Sequence, residues 1–148
     1  MKRLLLLIMV LGFMSGCAKR VTCNSPAYVH DIEHYSQAQI YEASKRWVAM
    51  KYVSAQNVIQ YDNVHEGVLI GKGNTPYGEH RVKYAIRIDV KPERFKMSFL
   101  DIHWSTAEGQ SVLMKQKRCN WFLNNVFPEY PREFIQYVTQ EMENEKAW

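Results

Sequence analysis

The clearest pattern in the chain is a strict alternation of apolar and polar residues near its centre. Between residues 82 and 91 the apolar positions are Val82, Tyr84, Ile86, Ile88 and Val90, and polar or small residues separate them. A period of two predicts a β-strand with one buried face and one face in water. Pro92 and Glu93 then form a turn into a second strand over residues 94–104. The alternation slips at Leu100, which predicts a β-bulge there.

Three shorter strands are predicted before this pair. Residues 27–34 are the first. Residues 58–61 and 68–70 are the other two, and the turn residues between them at 62–67 predict a hairpin. Residues 71–78 contain three glycines and a proline, so we expect a looser stretch there rather than a strand.

Two helices are predicted on either side of the strands. Ser36 and Gln39 fit a capping box, in which each side chain satisfies a free backbone group of the other. The helix behind it should cover residues 37–52, with one apolar stripe formed by Ile40, Ala43, Trp47 and Met50. Near the end of the chain Pro131 suits a first helical position. The helix that follows should end near Glu145 and bury Phe134, Ile135, Val138 and Met142.

The order of elements predicts the fold class. A strand, a helix, four antiparallel strands and a second helix are typical of an α+β domain with two layers, in which both helices lie on one face of the sheet. We therefore predict a single domain over residues 27–148, preceded by a short tether over residues 17–26.

The middle of the chain resembles a known bacterial family. The matching positions lie in four successive elements, over residues 35–104: Ile40, Tyr41, Trp47, and residues 58–62, 67–73, 86–91, 94–95 and 99–101. They are similar to a domain of unknown function with a TATA-binding-protein-like (TBP-like) fold. The resemblance implies a curved antiparallel sheet with helices on one side, often in an exported or lipid-anchored protein. It implies no catalytic residues, and the fold name implies no nucleic-acid binding, because function resides in sites rather than in folds.

The first seventeen residues indicate where the protein is located. Lys2 and Arg3 precede an apolar run over residues 4–13, and small residues lead to Cys17. This pattern is typical of a secretory signal, and the run is too short to span a bilayer. Residues 14–17 resemble a bacterial lipobox, which implies cleavage before Cys17 and lipid attachment to its thiol. The alternative is a plain secreted protein in which a cysteine stands at this position by chance.

The other two cysteines predict a disulfide bond. Once Cys17 is assigned to lipid, Cys23 and Cys119 remain, and an even remainder in an exported protein favours pairing. The alternative is two unpaired thiols, one in the leader and one buried.

The charge of the chain is nearly balanced once the signal is removed. The formal net charge is +4, but Lys2 and Arg3 belong to residues 1–16, which leaves 17 basic and 15 acidic residues. The only dense basic cluster covers residues 115–118. It could meet phosphates or lipid headgroups, or it could be a solvated connection.

Three motifs suggest chemistry, and each is incomplete. Residues 70–73 resemble part of a phosphate loop, but the full G-x-x-x-x-G-K-[ST] spacing is absent. In residues 30–34 the two histidines would face away from the Asp and Glu of a strand, so these side chains would not share one Zn²⁺. Cys119 with His103 or His80 could act as nucleophile and base, but nothing near Cys119 indicates activation. We therefore expect no catalytic residue, no metal site and no cofactor.

The aromatic residues offer a candidate binding surface. Tyr28, Tyr77, Trp121 and Trp148 lie outside the predicted core stripes, and amphipathic aromatics of this kind favour interfaces with proteins, glycans or membranes. They could equally pack beneath loops. Arg87 lies on the polar face of the central strand, so it is a second candidate for contact with a partner.

These observations together favour a lipid-anchored envelope protein that acts as a non-catalytic binding or accessory module. Its partners would be the membrane, through the lipid, and an envelope protein or glycan; we expect no nucleic acid. Because Ala18 follows Cys17, where an Asp commonly retains lipoproteins at the inner membrane, the outer membrane facing the periplasm is favoured. The alternatives are an envelope hydrolase with an unrecognised site and an immunity-type lipoprotein that occupies a toxin.

Overall fold

An antiparallel β-sheet forms one layer of the molecule. The computed structural model describes residues 23–52, 58–106, 108–112 and 115–147. In chain order the elements are β1 (Ala27–Asp31), α1 (Gln37–Lys51), β2 (Ile59–Asn63), β3 (Val68–Tyr77), β4 (His80–Lys91), β5 (Arg94–Thr106), β6 (Ser111–Val112), α2 (Gln116–Asn125) and α3 (Glu129–Lys146). Residues 1–22, and with them the signal segment and Cys17, lie outside the described part, as does Trp148.

The strands follow the order β1-β5-β4-β3-β2, and β6 pairs with the far end of β5. Strands β2 to β5 therefore form the meander that the sequence predicts. The first strand closes the sheet against β5, where Ala27 pairs with Ser98 and Asp31 pairs with Arg94. Because β2 and β1 are the two edges, the long strands β4 and β5 occupy the middle.

One face of the sheet carries the hydrophobic core. All five predicted apolar positions of β4 are at most 3% exposed. Helices α1 and α3 cover this face, since the Trp47 ring of α1 lies 5.4 Å from the Phe134 ring of α3, and Phe134 lies 4.8 Å from Phe95 of β5. The predicted α+β architecture with helices on one face is confirmed.

The predicted irregularity in β5 is also present. The pairing of β4 with β5 shifts register between Lys83 and Ala85, so that Lys83 pairs with His103 and Ala85 pairs with Leu100. The backbone of Asp101 takes a φ of 51° at this point. A residue inserted in one strand restores the inward direction of the following apolar side chain, and Trp104 is accordingly buried.

The prediction of a loose stretch over residues 71–78 is wrong, because β3 continues to Tyr77. Two of the glycines leave space for side chains of neighbouring elements. A Cβ on Gly73 would overlap the Tyr84 ring, and one on Gly71 would lie 3.2 Å from Val48. Pro76 is tolerated because it lies beyond the end of β2, where β3 is itself the edge.

The predictions for the helices and for the first strand need four corrections. Met50 is 61% exposed, and the α1 stripe continues instead through Ser44 and Val48, since 3.6-residue periodicity turns the last position away from the sheet. Helix α3 begins at Glu129, so Pro131 is its third residue, where a missing N–H still costs no intrahelical bond.

The first strand ends at Asp31, and not at His34 as predicted; His34 has a φ of 73° in the turn before α1. The predicted capping box of Ser36 is present.

The fourth correction concerns helix α2, which the sequence analysis missed. Residues 115–118 were predicted to lie in a connection, but Lys115 is the N-cap of α2 and the next three residues form its first turn. The helix buries only Cys119 and Phe122. The segment nevertheless carries a short helical signal that was overlooked, because Cys119, Phe122 and Leu123 fall at i, i+3 and i+4.

The structure pairs Cys23 with Cys119, as predicted, with a Cα–Cα distance of 5.8 Å. The bond joins residues 96 positions apart. It therefore fixes the segment before β1 to the buried side of α2.

Candidate functional site

Four aromatic rings form a cluster that reaches the surface, and we call it the aromatic surface: Tyr77, Trp104, Trp121 and Phe122. The Tyr77 ring lies 5.2 Å from Trp121, 5.3 Å from Trp104 and 5.3 Å from Phe122. Trp104 and Phe122 are buried, whereas Tyr77 is 38% exposed and Trp121 is 44% exposed. The structure therefore brings together Tyr77 and Trp121, two of the five candidate binding residues. Tyr28 is partly buried against Phe99 and donates to the Leu123 carbonyl, and Trp148 lies outside the described residues.

Helix α2 positions this cluster. The Phe122 ring faces inward, 5.6 Å from the Trp104 ring, and Trp121 is the residue directly before it in the helix. The guanidinium of Arg118, one turn earlier, lies 5.7 Å from the Trp104 ring, a cation–π distance. Two buried nitrogens beside the cluster, Trp104 Nε1 and His80 Nδ1, have no hydrogen-bond partner within the described part of the chain.

Arg87 lies elsewhere, on the face of the sheet that turns away from the helices. Its guanidinium donates to both carboxylate oxygens of Asp89, at 2.7–3.1 Å. Partial burial opposes ionisation of Asp89, but the hydrogen bonds and charge of Arg87, with the charge of Lys96, outweigh it and lower the pKa of Asp89. Arg87 is seven residues along β4 from the hairpin end at His80, about 23 Å at the usual strand rise. Arg87 is therefore held in a local ion pair and takes no part in the aromatic surface.

A cleft of about 890 Å³ lies on the same outer face, and we call it the basic cleft. Its lining includes Lys72, Arg81, Lys83 and His103, and it extends past the edge of β3 to Lys51 and Tyr52 at the end of α1. Asp101 is the only acidic residue in the lining. Lys51 is paired with Glu133. Lys72, Arg81 and Lys83 form no ion pair with any residue in the described ranges.

Sheet register explains how residues distant in sequence meet in the basic cleft. Lys72 pairs with Ala85, and Lys83 pairs with Asn74 on one side and His103 on the other. Lys72 and Lys83 are thus diagonal neighbours on one face, a spacing of about 7–8 Å between Cα atoms. The small side chain of Ala85 leaves space between them. The sequence analysis placed Lys83 on the polar face but missed the site, because the register of β3 was not known beyond Ile70.

The bulge shapes the third side of the cleft. His103 Nδ1 lies 2.8 Å from the Asp101 carbonyl oxygen. Because a carbonyl only accepts, Nδ1 must carry the hydrogen, which leaves Nε2 as the free nitrogen of the ring. Asp101 takes its positive φ at this position, and such conformations, like bulges, occur often at functional sites.

Beneath β3, the tyrosine hydroxyls of Tyr52, Tyr84 and Tyr130 form a hydrogen-bonded cluster with Thr75. Tyr84 Oη donates to Tyr130 Oη at 2.7 Å, and the Thr75 hydroxyl lies 2.8 Å from Tyr130 and 3.0 Å from Tyr84. Burial raises the pKa of Tyr84 and of Tyr52 well above the ordinary value. The Tyr52 and Tyr84 hydroxyls therefore stay neutral, and the hydrogen bonds of the cluster link the end of α1, β3, β4 and α3.

The remaining sequence candidates stay apart. His30 stacks on Phe95 at 5.6 Å, whereas the His34 backbone amide donates to Glu93 in the turn. The described residues contain no group of three or more His, Cys, Asp or Glu side chains close enough to hold a metal ion. Cys119 is in the disulfide, so it is not a free thiol beside His80 or His103. Within the same part of the chain, no helix combines the length and apolar character needed to cross a bilayer.

The sequence profile of a domain of unknown function with a TBP-like fold (DUF4468) matches residues 28–105. The chain belongs to this family. The match includes β1 to β5 and α1, and thus every lining residue of the basic cleft, but it ends before α2. Trp121 therefore lies outside the part of the chain that the family profile covers.

Solved structures agree with the family assignment. A TBP-like protein from Parabacteroides distasonis superposes with a TM-score of 0.60 at 15% identity, over 78% of this chain and 92% of that protein. A DUF4468 family protein from Bacteroides ovatus superposes with a TM-score of 0.50 at 15% identity, over 83% and 84% of the two chains. At this identity the likeness shows the fold alone. No curated protein matches the chain.

Proposed function

We propose that this protein is a lipid-anchored component of the bacterial envelope that acts as a non-catalytic binding module, and that its basic cleft holds anionic groups of the partner. The charged start, short apolar run and Cys17 support the anchor. Ala18 at the next position favours the outer membrane, with the domain facing the periplasm. The partner is an envelope component that carries carboxylate or phosphate groups.

The observation that carries this proposal is the convergence of Lys72, Arg81 and Lys83 on one cleft without anionic partners in the described chain. Elsewhere on the outer face, Arg87 and Lys96 are both paired with Asp89. Like charges on adjacent strands repel, so the arrangement destabilises the free sheet slightly and favours binding of an anion.

The chemistry of the cleft suits a ligand with more than one anionic group. A guanidinium binds a carboxylate or phosphate with two parallel hydrogen bonds, whereas each lysine supplies a mobile point charge. The three residues lie on paired strands of one sheet, so their Cα positions are fixed before the ligand arrives. Binding therefore has to order only the side chains and not the backbone.

Titration with small anions tests the cleft. The full chain in non-ionic detergent should bind citrate or inorganic pyrophosphate in a calorimeter, and Lys72→Ala with Lys83→Ala should weaken that binding at least tenfold. Lys91→Ala with Lys117→Ala removes the same charge from other exposed sites and should leave binding nearly unchanged. Equal loss in both double variants, or no binding of either anion by the wild-type chain, would refute the cleft. Binding that is lost in Arg87→Ala but not in the cleft variant would show that the anion site lies near Arg87 and not in the cleft.

Membrane fractionation tests the anchor. Because Cys17 must supply the acylated thiol, Cys17→Ser should shift the protein from the membrane fraction to the soluble envelope fraction or to the unprocessed precursor. Mass spectrometry of the wild-type protein should find a lipid-modified N-terminus at Cys17. Ala18→Asp is the matched control, since it retains the lipid and should change only the membrane in which the protein is found. An unmodified N-terminus at another residue would contradict the assignment.

A further inference from the structure

Helix α2 lies beside the point where the N-terminal segment joins the domain. Cys23 is the first described residue, and its bond to the buried Cys119 places it under α2, on the side of the helix opposite the exposed Trp121. Cys17 is six residues before Cys23. A fully extended segment of that length spans about 20 Å. If Cys17 carries lipid, α2 is thus held close to the bilayer.

The exposed residues of α2 and the neighbouring Tyr77 include the two residue classes that favour a membrane surface, and Lys117 lies on the same face of the helix as Trp121. Trp121 and Tyr77 expose 44% and 38% of their surfaces, and such amphipathic rings concentrate at the level of lipid headgroups. Lys115, Lys117 and Arg118 are exposed in the first turn of α2 or at its N-cap. Basic residues at a membrane surface are attracted to anionic phospholipids.

The positions of these cations do not serve the helix. The N-terminus of a helix carries partial positive charge, so basic residues there are unfavourable. Helix α2 has no acidic residue in its first turn, and Lys115 makes no side-chain cap. The sequence contains no Asp or Glu between Glu108 and Glu129. Arg118 lies over the Trp104 ring, but Lys115 and Lys117 have no such contact in the described chain, so charge complementarity favours an anionic surface as the partner of these residues.

We infer that α2 docks on the bilayer surface to which the chain is anchored, with Trp121 and Tyr77 at the headgroup level and Lys115, Lys117 and Arg118 against anionic phospholipid. This inference rests on the proposed lipid anchor and adds an orientation to it. Arg81 and Pro76 line the basic cleft. Their neighbours in the two strands point to the other face, where Tyr77 belongs to the aromatic surface and His80 contacts its Trp104 ring. Docking through α2 thus places the cleft near the membrane, on the opposite face of the β3–β4 hairpin.

Quenching of tryptophan by brominated lipid tests the docking. The full lipidated chain is incorporated in phosphatidylcholine vesicles that contain phosphatidylglycerol, with or without brominated acyl chains. Wild-type fluorescence should be quenched in brominated vesicles, and Trp121→Phe should remove most of that quenching. Tyr61→Trp in the Trp121→Phe background is the matched control, because Tyr61 is 41% exposed on the outer face of the sheet. Its added ring should not be quenched.

The charge requirement is tested in the same vesicles. Lys117→Ala with Arg118→Ala should reduce the quenched fraction in phosphatidylglycerol vesicles towards the value in pure phosphatidylcholine, since each basic residue contributes about fivefold to partitioning. Lys91→Ala with Lys96→Ala removes equal charge from exposed positions at the far end of β4 and β5, outside the cleft and α2, and should have little effect. Vesicle-bound protein with no quenching of Trp121 would overturn the docking while leaving the anchor intact. Protein without lipid at Cys17 that fails to associate with vesicles would instead overturn the anchor, and the docking with it. Equal loss in both double variants would show that the attraction is not specific to α2.

Discussion

Replacement of Cys23 by serine will lower the free energy of unfolding by about 4–5 kcal/mol under oxidising conditions. The disulfide closes a loop with a sequence separation of 96, and a crosslink over so many residues removes much of the entropy of the unfolded chain. Cys23 is the better position to change, because it is only partly buried, whereas Cys119 is fully buried. Serine at Cys119 would add the cost of burying a hydroxyl group.

Denaturant unfolding with and without a reductant measures this contribution. Reduced wild-type protein should be about as stable as Cys23→Ser, and the variant itself should not respond to the reductant. The double variant with Cys119→Ser separates the loss of the bond from the effect of a buried polar group. If the free energy of unfolding of the wild-type protein were the same with and without the reductant, the disulfide would contribute nothing to stability.

Ile86→Ala will destabilise the domain by about 2–5 kcal/mol, whereas Arg87→Ala, the next residue, will change stability by about 1 kcal/mol or less. Ile86 is fully buried in the middle of β4, and its truncation leaves a cavity that the surrounding side chains fill only in part. The Arg87 side chain is 40% exposed, and its loss removes one ion pair with Asp89.

Equilibrium denaturation of both variants checks the alternation on which the fold depends. The pair is well matched because the two residues are adjacent in the same strand and differ only in the face they occupy. Similar losses of stability in both would contradict the assignment of faces. The loss for Ile86→Ala is a large part of the 5–15 kcal/mol typical of a domain, so partial unfolding at growth temperature is a further expected sign.

The two proposed surfaces have different roles. The basic cleft lies on the outer face of the sheet, within the part that the family profile covers. Helix α2 and Trp121 lie after the end of that match. We therefore expect the cleft to account for ligand binding and α2 to set the orientation of the domain on its membrane. The titration and the quenching experiments measure these roles separately.

Patterns of short range account for what the sequence predicted correctly. Alternation over residues 82–90 requires only that one face of a strand be buried, and the slip near Leu100 marks the bulge at Asp101. The capping box of Ser36 and Gln39 depends on atoms three residues apart. The signal pattern and the two cysteines that remain once Cys17 is set aside were enough to predict the pair that the structure shows.

Contacts between distant segments account for what it missed. Gly71 and Gly73 suggest a loop in isolation, but they lie in a strand because Val48 and the Tyr84 ring take the space that side chains would fill. Helix α2 is fixed to the domain by the disulfide to Cys23 as well as by its short apolar stripe of Cys119, Phe122 and Leu123. The stripe is a local signal, but a bond to a residue 96 positions away and a ring that packs over a glycine are not visible in a window of ten residues.

The sequence by itself determined the signal pattern, the fold class and which face of β4 is buried, because hydrophobic periodicity and local hydrogen bonding act over a few residues. Only the tertiary structure decided which polar residues share a site. Lys72, Lys83 and His103 lie on three strands and meet through sheet register, and Tyr77 meets Trp121 because α2 packs on the end of the β3–β4 hairpin. Register and helix docking depend on how the whole core packs, so these neighbours arise only when the entire chain folds.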